Sequence, residues 1–214
     1  MTTEEKLQKL SAIAKQVEIC KNCDLYKGTT HGVAGEGNPD AQIMFIGEGP
    51  GFNEDRLARP FVGQAGRLLD QALAENGIKR SEVFIANVVK HRPPGNRDPL
   101  PNETTACAFW LDQQIEIINP SVIVTLGRYS MNKFLPGEFI SQTHGQARFV
   151  QIANQKRIVI CMYHPAAALR NGQVMLQFKQ DFKKIIEFLQ QTRKPSDGGT
   201  NQPPEEDEQL SLLN

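Results

Sequence analysis

Short apolar runs alternate with amphipathic stretches along most of the chain. The apolar runs have the length of buried β-strands and occupy residues 42–46, 83–89, 121–126 and 157–162. Stretches with hydrophobic residues at helical spacing occupy residues 4–19, 63–77, 102–120 and 173–191. Because strands that alternate with helices form right-handed parallel βαβ units, this order predicts an α/β fold. We expect a three-layer αβα sandwich around a central four-stranded parallel sheet.

Polar residues mark the predicted helix ends. Thr2 and Glu5 have the spacing of a capping box at the start of the first helix. Asn76–Gly77 is a typical end for the second helix, and Asn102 is the predicted N-cap of the third.

Charge is distributed unevenly along the chain. The 214 residues carry 24 Lys and Arg and 24 Asp and Glu, so the net charge is zero. Residues 195–214 hold five acids and no Lys or Arg, which leaves 24 basic and 19 acidic residues in the body. The resulting charge of about +5 suits a polyanionic partner, although many ordinary enzymes are equally basic.

The hydropathy pattern also constrains the cellular location. No apolar run approaches the roughly 20 residues of a membrane helix, and the charged first ten residues lack the apolar core of a signal peptide. We expect a soluble, cytoplasmic protein with no membrane partner. In such a protein, four cysteines are more typical of metal ligands or buried thiols than of disulfides.

Chemically distinctive loops follow the predicted strands. Ligands of parallel sheets bind beyond the carboxyl ends of the strands, so these loops meet at one edge. They are a Gly-rich turn at 47–55, Asn87 with the basic loop 90–101, the turn 127–130 and the His-containing loop 163–171. Their convergence predicts a functional site, although loops are generally rich in Gly, Pro and Asn.

Cys20 and Cys23 have the C-x-x-C spacing of a metal-binding hairpin, which supplies half of a four-ligand site. Cys107, near the start of the third helix, and His91, at the base of the preceding loop, are candidates for the other half. Cys161 lies inside an apolar run and is predicted to be a buried small hydrophobe. A Cys3His set fits zinc and equally fits an iron–sulfur cluster with one imidazole ligand. A C-x-x-C without metal is a third alternative.

Three separated blocks resemble the signature motifs of the type 4, iron–sulfur uracil-DNA glycosylases. The blocks are GEGPGFNEDRLARPFVGQAGRLLD from residue 47, ANVVKHRPPGNRDPLPNE from residue 86 and YHPAAALRN from residue 163. With the leading ICKNCDLY hairpin, the resemblance covers residues 18 to about 190 in the family's order. It implies the uracil-DNA glycosylase fold and monofunctional hydrolysis of the N-glycosidic bond of deoxyuridine in DNA, a step of base excision repair.

The resemblance implies a [4Fe–4S] cluster held by Cys20, Cys23, His91 and Cys107. Family members typically have Cys where this chain has His91, and a neutral imidazole there should raise the reduction potential. A similar Lys-His pair occurs in relatives that trap DNA covalently. Because this loop lacks their Arg-rich insert, we expect turnover rather than trapping.

The resemblance also implies roles in base recognition and catalysis. Phe61 is expected to stack on the flipped base, and the Asn87 amide to pair with uracil O4 and N3–H. His164 would donate a hydrogen bond to O2 as negative charge develops, and Glu48 would position the water or stabilise the sugar cation. The other predicted base contacts are the backbone groups of Gly47, Glu48, Gly49 and Pro50. Weaker candidates for the acidic role are Glu54 and Asp55.

Four residues are predicted to contact DNA outside the base pocket: Leu169, Arg170, Arg92 and Arg97. Leu169 would act as the apolar wedge that fills the gap left by the flipped base. Arg92 and Arg97 flank prolines and would bind phosphates, although an ordinary solvated surface role is equally open for both.

The glycosylase domain is expected to span residues 1–192, followed by an acidic tail at 193–214 that is predicted to be disordered. Residues 209–213, QLSLL, resemble the motif with which bacterial repair proteins bind the sliding clamp. The residues expected to seat in the clamp are Gln209, Leu210, Leu212 and Leu213. A chance apolar ending is the alternative.

Two other functions stay open at this point. One is a covalent trap for uracil-DNA that uses His91. The other is a zinc-stapled α/β nucleotide-binding module without glycosylase activity. The resemblance favours an enzyme that acts as a monomer on uracil-containing DNA.

Overall fold

The computed structural model describes residues 1–152 and 154–192, so the predicted tail and its clamp motif lie outside the described residues. The helices are α1 (Thr3–Glu18), α2 (Phe52–Leu57), α3 (Gln64–Glu75), α4 (Pro101–Ile118), α5 (Arg128–Phe134), α6 (Ile140–Thr143), α7 (Pro165–Ala168) and α8 (Gly172–Thr192). The strands are β1 (Glu36–Gly37), β2 (Ile43–Gly47), β3 (Phe84–Asn87), β4 (Val122–Leu126), β5 (Ala147–Ile152) and β6 (Gln155–Met162). In this part of the chain, no helix combines the length and apolar character needed to cross a membrane.

The strands form one mixed sheet in the order β1-β3-β2-β4-β6-β5. The four central strands β3, β2, β4 and β6 are parallel, as predicted. Two further strands that the apolar runs did not predict, β1 and β5, add an antiparallel strand at each edge. These edge strands escaped prediction because β1 has only two residues and β5 is half-buried, without a continuous apolar run.

Alternate residues of the central strands face two hydrophobic cores. In β2, Ile43 and Phe45 pack in the core that includes α3 and α8, whereas Met44 and Ile46 pack in the core that includes α1 and α4. Helices therefore cover both faces of the sheet, which confirms the three-layer architecture.

Most helix ends follow the local sequence. The Thr2 hydroxyl accepts from the Glu5 N–H, and the Glu5 carboxylate accepts from the Thr2 N–H, so the predicted capping box is present. α3 also ends where predicted. The prediction of Asn102 as the N-cap of α4 is wrong, because the helix begins at Pro101 with Leu100 as its cap. Proline suits this first position, where its missing N–H removes no helical hydrogen bond.

Cys161 lies in β6 and is fully buried in the core that includes α1 and α4. This burial raises the pKa of its thiol to about 11. The interpretation of Cys161 as a buried small hydrophobe is confirmed.

Candidate active site

A cleft of about 520 Å³ lies at the carboxyl ends of the parallel strands. The loops after β2, β3, β4 and β6 each contribute to its walls, at the edge where the sequence pattern predicted a site. The predicted site residues that line it are Glu48, Gly49, Pro50, Phe61, Asn87, Arg97, His164 and Arg170. Of the other described candidates, Gly47, Arg92 and Leu169 lie outside this lining.

Asn87, the last residue of β3, is 1% exposed and presents an unsatisfied oxygen at the cleft. Its Oδ1 is buried and has no hydrogen-bond partner among the described residues. A Cβ on Gly47 would lie 2.5 Å from this Oδ1 and 2.5 Å from Cζ of Phe61, so only glycine fits beneath them. Because an unsatisfied buried acceptor costs about 1–3 kcal/mol, this oxygen indicates a polar ligand in the cleft.

A buried lysine that the sequence pattern did not single out binds the backbone of Asn87. Lys90 is 0% exposed, and its ammonium donates to the backbone oxygen of Asn87 at 2.9 Å and to Oε1 of Gln114 at 2.7 Å. The Gln114 amide in turn donates to the backbone oxygen of Ala34 at 2.8 Å. Burial lowers the pKa of Lys90 to about 8. The sequence feature that could have indicated this lysine is its position directly after the apolar run 83–89.

Phe61 is held in an uncommon backbone conformation at the cleft wall. Its φ of +50° lies in the left-handed region, which is costly for an aromatic residue. The Arg80 guanidinium donates to the backbone oxygens of Pro60 at 2.6 Å and Phe61 at 3.3 Å, and so maintains this turn. The Phe61 ring lies 5.7 Å from the His164 ring, between centroids. Arg80 was not predicted, since its contribution depends on contacts distant in sequence.

Glu48 lines the cleft and has a raised pKa. Burial and, to a smaller extent, Asp98 raise its pKa to about 7, against an opposing effect of Arg128. The two weaker candidates have structural partners. Glu54 lines the cleft, but its Oε1 accepts from two backbone N–H groups of the 62–63 turn at 2.8 and 2.7 Å. Asp55 is 5% exposed, and its Oδ1 accepts from the backbone of residues 30 and 31.

His164 precedes α7 as its N-cap residue. Its Nδ1 accepts from the Ala166 N–H at 3.1 Å, so the ring proton of the neutral imidazole resides on Nε2. Burial and, to a smaller extent, the nearby Arg170 lower the pKa of His164 to about 4, against an opposing effect of Glu54. The ring is therefore neutral near pH 7, with an N–H donor to offer.

The predicted phosphate-binding arginines differ in their surroundings. Arg97 forms a bidentate ion pair with the buried Glu103, with N–O distances of 2.7 and 2.9 Å. Arg92 donates to Oδ1 of Asn96 at 2.7 Å, and it forms no ion pair with a carboxylate among the described residues. Phosphate binding by Arg97 stays a prediction, but its guanidinium already has a structural partner.

Three of the four predicted cluster ligands lie together. Cys20 and Cys23 pack against the core that contains Cys107. Trp110 Nε1–H donates to Sγ of Cys20 at 3.4 Å, and the Lys90 backbone N–H donates to Sγ of Cys107 at 3.2 Å. Burial, opposed by Lys90 and reinforced by the other two thiols, raises the pKa of Cys107 to about 11. N–H donors on ligand sulfurs are a common feature of iron–sulfur sites, so this donor set fits a cluster.

His91 is 5% exposed and follows Lys90, whose backbone N–H donates to Sγ of Cys107. Burial lowers its pKa, and its charged neighbours are Glu18 and Asp55 rather than the thiols. Among residues 1–152 and 154–192, no three His, Cys, Asp or Glu side chains converge on a point that suits a single metal ion.

The fold and this cleft define an α/β protein that binds its ligand at the carboxyl ends of the parallel strands. Sequence comparison identifies the family. Residues 34–190 match the model of the uracil DNA glycosylase superfamily, and the chain belongs to this family.

Curated relatives indicate the branch of the family. The chain is 47% identical over 189 residues to the type-4 uracil-DNA glycosylase of Sulfurisphaera tokodaii, covering 85% of this chain and 86% of the relative. It is 44% identical to that of Archaeoglobus fulgidus, covering 85% and 94% of the two chains, and 44% identical to that of Thermotoga maritima, covering 88% and 98%.

Proposed function

We propose that the chain is a monofunctional uracil-DNA glycosylase that acts in base excision repair. Family membership supports the activity, and the observation that carries it is the unsatisfied Oδ1 of Asn87 at the floor of the cleft. An amide presents a donor for uracil O4 and an acceptor for N3–H. Cytosine offers an amine and a bare N3 at these positions, so the same amide would reject it.

The proposed reaction breaks the bond between C1′ of the sugar and N1 of uracil. The bonding electrons leave with the base as an anion that spreads to O2, while water adds to C1′ of the oxocarbenium-like sugar. The His164 Nε2–H donates to O2, and the neutral ring stabilises the anion without first losing a proton. Ionised Glu48 orients the water and accepts its proton, while Phe61 stacks on the base.

The test is uracil release from a duplex that contains one deoxyuridine. We expect abasic sites to accumulate over many turnovers, with no product from the matched thymidine duplex. No abasic product would contradict the proposal. An adduct that survives denaturation and requires His91 would favour covalent trapping instead.

Leu169 is our proposed minor-groove wedge. It is 46% exposed at the end of α7, although it is apolar, and the neighbouring Arg170 lines the cleft. An exposed leucine beside the base pocket is suited to fill the space that the flipped nucleotide leaves. Arg170 would contact the adjoining phosphates, and Arg92 would contact phosphates farther along the DNA.

We further propose a [4Fe–4S] cluster held by Cys20, Cys23, His91 and Cys107. When bound, it would supply a cross-link between the Cys hairpin, the loop after β3 and α4; glycosidic cleavage itself needs no electron transfer. Anaerobic purification should give a brown protein with iron and acid-labile sulfide. Zinc without sulfide would contradict this proposal. Unchanged spectrum and reduction potential in His91→Cys would exclude His91 as a ligand.

For residues 193–214 we propose a tether that ends in a clamp-binding motif at 209–213, after a monomeric domain of residues 1–192. The support is the sequence QLSLL behind an acidic segment. Deletion of residues 209–214 should abolish binding to a bacterial sliding clamp without changing excision from free oligonucleotides. Equal clamp affinity of the two chains would contradict the proposal.

A further inference from the structure

An exposed phenylalanine lies between two arginines beside the cleft. Phe52, the first residue of α2, is 53% exposed. The guanidinium carbons of Arg56 and Arg92 lie 5.6 and 5.2 Å from its ring centroid. These distances are within cation–π range, so one ring holds two cations that come from different segments. We call Phe52, Arg56 and Arg92 the Phe52 patch.

The two cations of the Phe52 patch are not neutralised within the described structure. Three other arginines near the cleft pair with carboxylates: Arg80 with Glu36 and Asp70, Arg97 with Glu103, and Arg128 with Asp98. In residues 1–152 and 154–192, neither Arg56 nor Arg92 has such a pair. The polar partner of Arg92 is neutral, namely Oδ1 of Asn96. An exposed aromatic ring with two unpaired guanidinium groups is suited to a polyanion.

The position of the Phe52 patch relates it to the DNA substrate. Gly51 and Pro93, which adjoin Phe52 and Arg92 in sequence, line the cleft. The patch follows β2 and β3, whereas Leu169 follows β6, three strand positions from β3. At about 4.8 Å per position, the ends of β3 and β6 are roughly 14 Å apart. A DNA strand that runs from Leu169 across the cleft toward the loops after β2 and β3 would reach the patch.

We propose that the Phe52 patch binds the phosphodiester backbone of the DNA strand that carries the flipped nucleotide, on the side of the cleft away from Leu169. Phe52 orients the two guanidinium groups, and Arg56 and Arg92 contact phosphates. This inference rests on the proposed function, because it takes DNA as the substrate.

The experiment measures binding of the full chain to a duplex with a tetrahydrofuran abasic site, over a series of salt concentrations. The plot of log K against log salt has a negative slope, and removal of one phosphate-binding cation decreases the magnitude of that slope by about 0.9. We expect this decrease in Arg56→Gln and in Arg92→Gln. The matched control Lys15→Gln removes one charge from exposed α1 and should keep the wild-type slope and affinity.

Substitutions of Phe52 separate the effect of the ring from the effect of charge. Phe52→Leu should weaken binding about two- to five-fold, the equivalent of an exposed cation–π interaction, although both arginines keep their charge. Phe52→Tyr retains a ring and should keep the wild-type affinity. Because Phe52 is exposed, neither variant should alter the melting temperature.

Two outcomes would decide the inference and distinguish it from the proposed function. If Arg56→Gln and Arg92→Gln match Lys15→Gln in slope and affinity, the patch does not bind DNA, whatever the excision activity. If the slope decreases in the arginine variants but the wild type releases no uracil, the patch binds DNA and the glycosylase proposal fails.

Discussion

At the scale of single residues, the cleft gathers groups whose polar atoms or charge states are incompletely compensated. The buried Oδ1 of Asn87 has no partner among the described residues, Glu48 has a raised pKa, and His164 has a lowered one. Proteins seldom retain such groups in one place without a ligand that compensates them. Their common location is the physical basis for assigning the chemistry to this cleft.

Asn87→Ala should lower kcat/KM for deoxyuridine by about 5- to 150-fold. This range corresponds to the roughly 1–3 kcal/mol that a buried hydrogen bond to the base contributes. The melting temperature should not fall in proportion, because the oxygen that is removed is already unsatisfied in the free protein. Steady-state excision and thermal melts provide both measurements. An unchanged kcat/KM would exclude Asn87 from base recognition.

The raised pKa of Glu48 leads us to predict that excision depends on pH near neutrality. Its pKa of about 7 means that the active carboxylate becomes protonated as the pH falls below this value, so kcat should decrease about tenfold per unit there. His164 stays neutral until the pH approaches its pKa of about 4, so its titration does not contribute to the decrease below pH 7. Single-turnover rates across this range provide the measurement.

The matched variant Glu48→Gln should have a low excision rate that no longer decreases as the pH falls below 7. If the decrease persists in this variant, another group is responsible for the titration. Because a raised pKa means that burial disfavours the charged form, Glu48→Gln should also melt at a higher temperature at about pH 8.

At the scale of elements, the loop between β3 and α4 joins the cleft to the cysteine site. Arg97 and the Leu100 N–H both bind Glu103 in the first turn of α4, the helix that carries Cys107. The ammonium of Lys90 fixes the last carbonyl of β3. The loop is therefore held at both ends, and its side chains are presented to the cleft from a rigid frame.

Arg97→Gln should destabilise the fold more than it weakens DNA binding. It removes a bidentate partner from the buried Glu103 carboxylate, which should lower the free energy of unfolding. The pKa of Glu103 is lowered mainly by Arg97, so this stability should be present at neutral pH and decline as the pH falls through the carboxyl titration. Urea denaturation at two pH values gives the measurement. A complete absence of DNA affinity with unchanged stability would contradict the structural role and favour phosphate binding.

At the scale of the whole molecule, the cysteine site connects parts of the chain that are distant in sequence. Cys20 and Cys23 follow α1, whereas Cys107 belongs to α4, and the two helices pack on the same face of the sheet. A cross-link there would close a loop of more than 80 residues, which restricts the unfolded chain strongly. We therefore expect the cluster to contribute mainly to stability.

Cys107→Ala should lack the visible absorption and the bound iron and should unfold at a lower urea concentration. Cys161→Ala is the matched control, because Cys161 is equally buried but lies in β6 as part of the packed core. It should retain iron and be destabilised only by a small cavity. Iron content and visible spectra provide a measurement that does not depend on activity. Retention of the cluster in Cys107→Ala would contradict the assigned ligand.

The sequence alone determined the central part of this fold. The apolar runs and helical spacings encode which residues are buried, and burial periodicity is a local property of the chain. It therefore identified the parallel strands and the edge where their loops, with Asn87 and His164, meet. Phe61 and the roles of Asn87 and His164 came from the resemblance to the type 4 uracil-DNA glycosylases. The C-x-x-C hairpin and the position of Cys107 also followed from the sequence.

The tertiary structure alone decided features that depend on contacts between distant residues. These features are the antiparallel edge strands β1 and β5, the buried Lys90, the support of Phe61 by Arg80 and the pairing of Arg97 with Glu103. The pKa shifts of Glu48 and His164 belong here too, since desolvation depends on what packs around a group rather than on its sequence neighbours. A pattern along the chain indicates which side chains are available, whereas their partners and charge states are determined only when the chain is folded.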